Sequence, residues 1–243
     1  MGLFFSKADQ FGTVGLYKPE DVFSHFGDKY YGESVKYWSN VESNDDGMLD
    51  GFLDENTPDL DFTKAKIEYY LKNKNMGKNV CVDVGAGIGR ISLHVFSKYF
   101  KEIHLVEPVK KFTDVAVKEL SKTVKVKAFN MCAQDWVLDD DVLYDCIWIQ
   151  WTLMYLTDDD CVKLLINCKK HLAKNGFIFV KENMLIDEET QEYAQWAPHD
   201  HSLCRSKYLV KKIIEKTGLK IIEEENQPNW KKELIPLYLF VLE

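Results

Sequence analysis

The sequence predicts an α/β fold: a seven-stranded, mainly parallel sheet with helices on both faces and an N-terminal helical extension. Three observations carry this. From residue 79 onward, apolar stretches of strand length alternate with amphipathic stretches of helical period. The first of these strands runs directly into a glycine-rich turn, residues 82–90 (VDVGAGIGR), and a helical pattern opens behind it. Of the 243 residues 46% are apolar and 29% charged, which allows one sizeable core and argues against disorder. The expected organisation is a helical segment over residues 1–77 that covers the site, followed by a sheet domain over 78–243.

Element by element, the first ~30 residues read as irregular, punctuated by Gly2, Gly12, Gly15, Pro19 and Gly27. A helix is expected over about 28–38, a turn at 43–47 (SNDDG), and a second helix over about 58–73 with Leu60, Ile67 and Leu71 on one face. Strands are expected near 79–84, 103–106, 124–129, 144–150, 177–182, 219–224 and 234–242. Ile91, Val95 and Phe96 mark the first intervening helix, and Phe112, Val115 and Leu120 the second. Thr157 should cap a third, which runs through Leu164, Leu165 and Leu172 until Gly176 stops it. Leu209, Ile213 and Ile214 mark the last, with Gly218 as its stop. The final two strands are separated by a polar stretch without a clear helix, which a reversed edge strand would explain.

Charge and cysteine content exclude several classes. A net charge of −8 argues against a nucleic-acid groove built on global positive charge. No apolar run approaches the ~20 residues needed to span a bilayer. The chain does not open on a signal-peptide pattern, because Asp9, Glu20 and Asp21 follow a very short apolar start. Cys81, Cys132, Cys146, Cys161, Cys168 and Cys204 form no C-x-x-C pair and read as reduced thiols. No metal is expected. Met1 to Ser6 fits M-G-x-x-x-[ST], so a membrane would be met only through N-myristoylation of Gly2. One such chain holds a membrane weakly and reversibly.

The glycine turn carries the chemistry. Gly85, Gly87 and Gly89 follow Asp83, and alternate glycines let a backbone turn sharply and approach a ligand. The spacing is G-x-G-x-G, with Arg90 at the third-glycine position of the dinucleotide fingerprint, so nicotinamide cofactors are expected to bind poorly. The absence of G-K-[ST] excludes a P-loop. An acidic residue ahead of the turn suits a ligand with a charged amino-acid tail. Glu107 ends the second strand ~20 residues beyond the turn, where a carboxylate can accept both hydroxyls of a ribose. Pro108 and Val109 follow it.

These features resemble the class I S-adenosylmethionine-dependent methyltransferases. Glu107 corresponds to their ribose acid, and Ala133-Gln134-Asp135-Trp136 to their adenine-side loop. Further stretches narrow the resemblance: Tyr37-Trp38, DGMLDGF (46–52), IWIQW (147–151), LTD (156–158), VKENM (180–184) and DHSLCR (200–205). In this order they are similar to the protein alpha-N-terminal methyltransferases, which methylate the α-amine of proteins beginning X-Pro-Lys after Met removal. The resemblance implies S-adenosylmethionine as cofactor, held by Trp38, Gly85, Gly87, Gly89, Arg90, Glu107, Pro108, Val109, Ala133, Gln134 and Gln150. It implies Asp200, His201 and Asn183 as catalytic residues, and Trp151, Tyr155, Asn183, Ser202 and Glu233 as contacts to the acceptor. Protein N-termini are the implied partners, a monomer is expected, and the location is expected to be cytoplasmic, nuclear or both.

Elementary chemistry fits this acceptor. Methyl transfer is an in-line displacement, and the nucleophilic amine needs a free lone pair. A carboxylate can take its proton and stabilise the charge that grows on it. An α-amine has a pKa of ~8, so little driving force is needed. Asp200 and His201 nonetheless lie in a polar stretch that a solvated loop would also contain. Glu223 and Glu225 read as a solvated strand end, with Glu233 the better contact for a lysine. Two departures from the family stand out. Tyr155 occupies the place of its usual histidine, and a phenol with a free pKa of ~10 is no base near neutral pH. Ala197 occupies the place of an acidic residue three positions before Asp200. The alternatives are a small-molecule amine N-methyltransferase, which needs an enclosed pocket, and a catalytically silent cofactor-binding partner protein.

Overall fold

The structure is a computed structural model; it describes residues 14–137 and 141–243 together with Gly12. The Gly2 acylation pattern lies outside the described residues. The described chain enters through β1 (Gly15–Tyr17) and the helices α1 (Pro19–Phe26), α2 (Tyr30–Asn40), α3 (Asp45–Met48) and α4 (Asn56–Asn73). Strands and helices then alternate: β2 (Val80–Val84), α5 (Arg90–His94), β3 (Glu102–Val106), α6 (Lys110–Leu120), β4 (Lys125–Phe129), β5 (Tyr144–Gln150), α7 (Asp158–Lys170) and β6 (Leu172–Asn183). Two short strands, β7 (Ala194–Ala197) and β8 (Ser202–Arg205), precede α8 (Lys207–Thr217), β9 (Ile221–Asn226) and β10 (Leu237–Leu242).

The seven-stranded sheet has the order β4-β3-β2-β5-β6-β10-β9. β2 to β6 pair in parallel, and β10 runs antiparallel to both β6 and β9. β5 lies at the centre, buried at every position. Its alternation feeds two cores: Ile147 and Ile149 face Leu164, Leu165 and Ile213, while Cys146 and Trp148 face Phe96, Tyr70 and Phe179. α7 is capped as expected, the Thr157 hydroxyl accepting from the Asp160 N–H, and α8 ends at Gly218 with φ 66°. All six cysteines are free thiols.

The structure corrects several sequence expectations: the first ~30 residues, read as irregular, hold β1 and α1, and the turn at 43–47 runs into α3. The reversed strand is β10, and it is not at the edge: it is inserted between β6 and β9. β10 is apolar and buried at five of its six positions, whereas the edge strand β9 alternates half-buried and exposed residues and carries Glu223, Glu224 and Glu225. Gly176 does not stop α7, which ends at Lys170 with His171 as its cap; Leu172 already belongs to β6. Gly176 is needed for close approach instead, since a Cβ there would stand 2.6 Å from the Tyr144 carbonyl of β5. The polar stretch around Asp200 is a half-buried turn between two short strands. β7 pairs with both β1 and β8 in a three-stranded sheet, and every residue of β8 is buried. The N-terminal segment thus contributes a strand as well as helices, and Tyr17, Val22 and Tyr30 pack with Trp196 and Leu203.

α4 is tied to the main sheet by a buried charge cluster. The Asp59 carboxylate is fully buried and accepts from Lys181 of β6 (2.5 Å), Arg90 of α5 (2.5 Å) and the Gln150 amide of β5 (3.1 Å). Lys181 also donates to Thr63 Oγ1 one turn further along α4. Despite its burial, Asp59 is held below the usual carboxylate range by the two cations, whereas burial brings Lys181 down to about 8. Replacing Asp59 by Asn keeps the shape and strands both cations in low dielectric. Asp59→Asn should therefore cost about 3–5 kcal/mol of unfolding free energy. Urea denaturation followed by circular dichroism measures this, and a loss below about 1 kcal/mol would show the cluster to be peripheral to stability.

Candidate functional site

The glycine turn lies at the carboxyl end of β2, where a doubly wound sheet opens a crevice for ligands. Gly85, Gly87 and Gly89 all have positive φ, at 76°, 53° and 75°. At Gly85 the space is taken as well: a Cβ would stand 2.0 Å from Thr152 Oγ1, which itself donates to the Val84 carbonyl at 2.8 Å. Gly89 starts α5 and packs against Ala116 of α6, so its role is helix packing.

Above the turn is a cavity of about 1020 Å³ including its open mouth. Eleven of the residues expected at the site line it: Trp38, Gly85, Gly87, Arg90, Glu107, Pro108, Ala133, Gln134, Gln150, Trp151 and Tyr155. Val109 does not; its N–H donates to Glu107 Oε1 at 2.8 Å, and its side chain packs with Ile88 and Phe112. Glu107 is buried, and its Oε2 accepts from the Gly87 N–H at 3.0 Å, so one carboxylate braces the turn and the start of the next loop. Burial pushes its carboxyl up to about 7, against the pull of those two N–H groups. Asp83 behind it is pushed up to about 6 by burial, against the Ser92 hydroxyl that donates to it. Arg90 reaches Asn56 at 2.9 Å as well as Asp59, and its guanidinium lies 5.6 Å from the Trp151 ring. Gln134 lines the cavity, and its Oε1 is buried with no partner.

The outer wall comes from the N-terminal segment. Tyr31, Ser34, Val35 and Trp38 of α2 and Met48 of α3 line the cavity. Tyr31 latches α2 across to α7: its hydroxyl donates to Asp160 and accepts from the Thr157 N–H at 3.2 Å. Of these residues only Trp38 was legible beforehand. Tyr31 and Ser34 share its helix at helical spacing, a signal weak on its own. Thr152 and Cys132 also line the wall and were missed, although each sits beside a residue that was expected.

The acceptor side is partly assembled. Trp151 follows β5 with φ 50°, a conformation that a bulky side chain adopts only when its surroundings enforce it. They do so here. The Trp151 N–H donates to the Lys181 carbonyl at 3.1 Å, and the N–H groups of Thr152 and Leu153 donate to Glu182 Oε1 at 2.7 and 2.8 Å. Glu182 is buried, which pushes its carboxyl up to about 7; it lies in the VKENM stretch but had been given no role. The Trp151 ring meets Trp230 at 6.3 Å, and its Nε1–H is buried without a partner.

Asp200 and its neighbours stand at the rim. Asp200 does not line the cavity, yet its Oδ2 accepts from Tyr155, which does, at 3.0 Å. Ser202 is buried and binds the other oxygen, its hydroxyl donating to Oδ1 at 2.9 Å. His201 has φ 58° and packs edge-on against Trp196 and Phe26, in the small sheet's own core. Asn183 ends β6, and its amide donates to the Ile235 carbonyl at 2.6 Å, an acceptor that it shares with the Trp230 indole. Glu233 is exposed on the connection between β9 and β10. Glu223 and Glu225 are not a solvated end: they hold Lys66 of α4, and Glu223 also accepts from Tyr70 at 2.7 Å.

Known proteins match this arrangement. The family described as AdoMet dependent proline di-methyltransferase matches residues 27–243. The chain is 32% identical over 217 residues to the N-terminal Xaa-Pro-Lys N-methyltransferase 1-B of Xenopus laevis, covering 88% of this chain and 95% of that one. It is 33% identical to the Alpha N-terminal protein methyltransferase 1 of Schizosaccharomyces pombe, with 88% and 96% covered, and 32% identical to the N-terminal Xaa-Pro-Lys N-methyltransferase 1 of Homo sapiens, with 88% and 95% covered. Among solved structures, an S-adenosylmethionine-dependent methyltransferase from Leishmania major superposes with a TM-score of 0.81 at 31% identity, covering 93% of this chain and 91% of that one. A phosphoethanolamine N-methyltransferase from Haemonchus contortus, at 16% identity and a TM-score of 0.65 over 92% of this chain and 48% of that one, shares the fold alone. With the family matched over residues 27–243 and relatives above 30% identity covering 88% of the chain, the chain belongs to the AdoMet-dependent proline methyltransferase family.

Proposed function

We propose that this S-adenosylmethionine-dependent enzyme methylates the α-amino group of proteins beginning X-Pro-Lys, with Asp200 as proton acceptor and Trp151 beside the acceptor's proline. The observation that carries the reading is the Tyr155–Asp200 hydrogen bond, which attaches a carboxylate to the wall of the cofactor cavity. The identity to relatives named for Xaa-Pro-Lys termini supports the same acceptor.

The residues present fit the cofactor. Glu107 has spare lone pairs for ribose hydroxyls, Arg90 offers a cation to an amino-acid carboxylate, and Gln134 Oε1 is an unfilled acceptor beside the Ala133 loop. When bound, the cofactor supplies a methyl group on a sulfonium. The protein's part is to orient the amine, exclude water and accept a proton. Trp38, Trp151 and Tyr155 give the cavity a largely apolar wall on that side. In such surroundings a carboxylate's effect on a developing ammonium is stronger than in water. The described part of the N-terminal segment, residues 14–77, acts as the cover, with the Tyr31 latch holding it in place.

Incubation with labelled cofactor and peptides beginning Ser-Pro-Lys or Ala-Pro-Lys tests the reading directly. Methylation should occur, and α-acetylation should abolish it; label on the acetylated peptides would move the reaction to another amine. Replacing the peptide's Lys by Glu should weaken its use if Glu233 helps to receive the third residue, and equal methylation of both peptides would argue against that contact. Asp200→Asn should lose on the order of 10²-fold in rate while retaining cofactor affinity. Full activity in that variant would remove Asp200 from the mechanism.

The cofactor side carries its own pH dependence. Because burial raises Glu107 above its unfolded value, the folded protein binds more protons between about 4.5 and 7, and stability contributed through this group falls as pH rises across that window. Cofactor binding runs the other way, because ribose hydroxyls donate best to the ionised carboxylate. Calorimetric affinity should therefore rise more steeply from pH 6 to 8 in the native protein than in Glu107→Gln. Glu107→Ala should bind S-adenosylmethionine at least about tenfold more weakly. Identical pH profiles in native protein and Glu107→Gln would place the ribose elsewhere.

A further inference from the structure

Tyr155 stands where the two halves of the site meet. Its ring lines the cavity and packs edge-on against Trp38, with centroids 6.1 Å apart. Its hydroxyl spends its single proton on Asp200 Oδ2. Asp200 Oδ1 is held twice by Ser202, from the N–H at 3.2 Å and from the hydroxyl at 2.9 Å. Three donors therefore fix the carboxylate at the rim, while Tyr155, and not Asp200, lines the cavity that an amine would enter. The Tyr155 oxygen has two lone pairs; the Trp38 indole N–H donates to one, donation to Asp200 uses neither, and one remains for an amine.

We propose that Tyr155 is a proton relay between the acceptor amine and Asp200, a role that rests on the assignment of Asp200 as proton acceptor. The ammonium N–H donates to the Tyr155 oxygen. As that bond breaks, a new O–H bond forms on Tyr155, and the proton it already carried passes to Asp200 Oδ2. Asp200 becomes a neutral carboxylic acid, Tyr155 ends as it began, and the nitrogen keeps the electron pair that attacks the methyl carbon. Tyr155 never needs to hold a charge, which suits its surroundings: burial and the nearby Asp200 raise its phenol well above the usual value. This resolves the loss of the family's usual histidine. A phenol cannot serve as the base, but it can conduct the proton to a carboxylate that is already hydrogen-bonded to it.

Other titratable groups face the pair. His199, exposed, lies 3.8 Å from Asp200 Oδ1 and 3.9 Å from Asp50. Tyr37 of α2 shares Asp50 at 3.5 Å. Buried Glu182 acts on Tyr155, and the Cys204 thiol and the Arg205 guanidinium lie behind them in β8. Among these, only Tyr155 lines the cavity.

Tyr155→Phe keeps the ring and its packing on Trp38 while deleting the relay. It should lose about 10²-fold in kcat/KM on Ala-Pro-Lys peptides at pH 7. The loss should shrink to a few-fold near pH 9.5, where the free amine is already neutral. A second readout uses the protein without cofactor. The unmodified peptide, which donates N–H to Tyr155, should bind about tenfold more weakly to Tyr155→Phe, whereas its α-N-trimethylated form, which has no N–H to give, should bind native protein and variant alike. Asp200→Asn is run beside it. If Asp200→Asn loses activity while Tyr155→Phe keeps it within twofold, or loses it equally at both pH values, the relay is wrong and the Asp200 assignment stands. If both variants keep full activity, or the native protein leaves X-Pro-Lys peptides unmethylated, the assignment beneath the proposal fails and the relay fails with it.

Discussion

The site depends on one buried carboxylate. Asp59, on α4, binds side chains from α5, β5 and β6, elements far apart in the chain. Two of its partners, Arg90 and Gln150, line the cavity, and the third, Lys181, offers its carbonyl to the N–H of Trp151. Taking three charges out of water is costly, and here one carboxylate serves two cations while neutral Asn56, Thr63 and Gln150 supply further hydrogen bonds. The cluster therefore tolerates few alternative arrangements. The orientation of Arg90, the lie of α4 on the sheet and the turn at Trp151 are set together.

A second tier of buried carboxylates repeats the device at smaller scale. Glu107 gathers the N–H groups of Gly87 and Val109, and Glu182 gathers those of Thr152 and Leu153. Both ends of the cavity floor are thus backbone turns wrapped around an acid. This explains how a tryptophan comes to hold a left-handed conformation at the end of β5. Local preference opposes it, but hydrogen bonds on both sides of the residue leave the backbone little choice.

Much of the architecture was legible because it is written locally. Period-two and period-3.6 patterns, the three glycines and the caps at Thr157 and Gly218 are properties of short windows. Many of the cavity-lining residues were readable for the same reason: most sit within a few positions of a strand's carboxyl end. The misreadings come from features that only the fold defines. Gly176 looks like a helix stop because its true neighbour, the Tyr144 carbonyl, is distant in sequence. The position of β10 inside the sheet could not be told from its being reversed. The small sheet escaped because its strands span three or four residues and pair across the whole chain. Asp59 escaped because a lone Asp on an amphipathic helix ordinarily faces water. Asp200 is a candidate on sequence, but its attachment to Tyr155 belongs to tertiary structure alone.

The acidic edge strand bears on how the protein behaves in company. An open strand edge is a template on which another chain can add its own backbone. β9 presents Glu223 and Glu225 toward Lys66 and Glu224 toward Lys207 and Lys211, so carboxylates and ammonium groups flank the edge on both faces. A newcomer strand would have to settle its side chains among these charges, desolvating them without offering matched partners. The same pairs that fasten α4 and α8 to the sheet thereby discourage strand-by-strand growth into aggregates. High salt, which screens exposed ion pairs, would weaken that protection before it disturbed the buried cluster at Asp59.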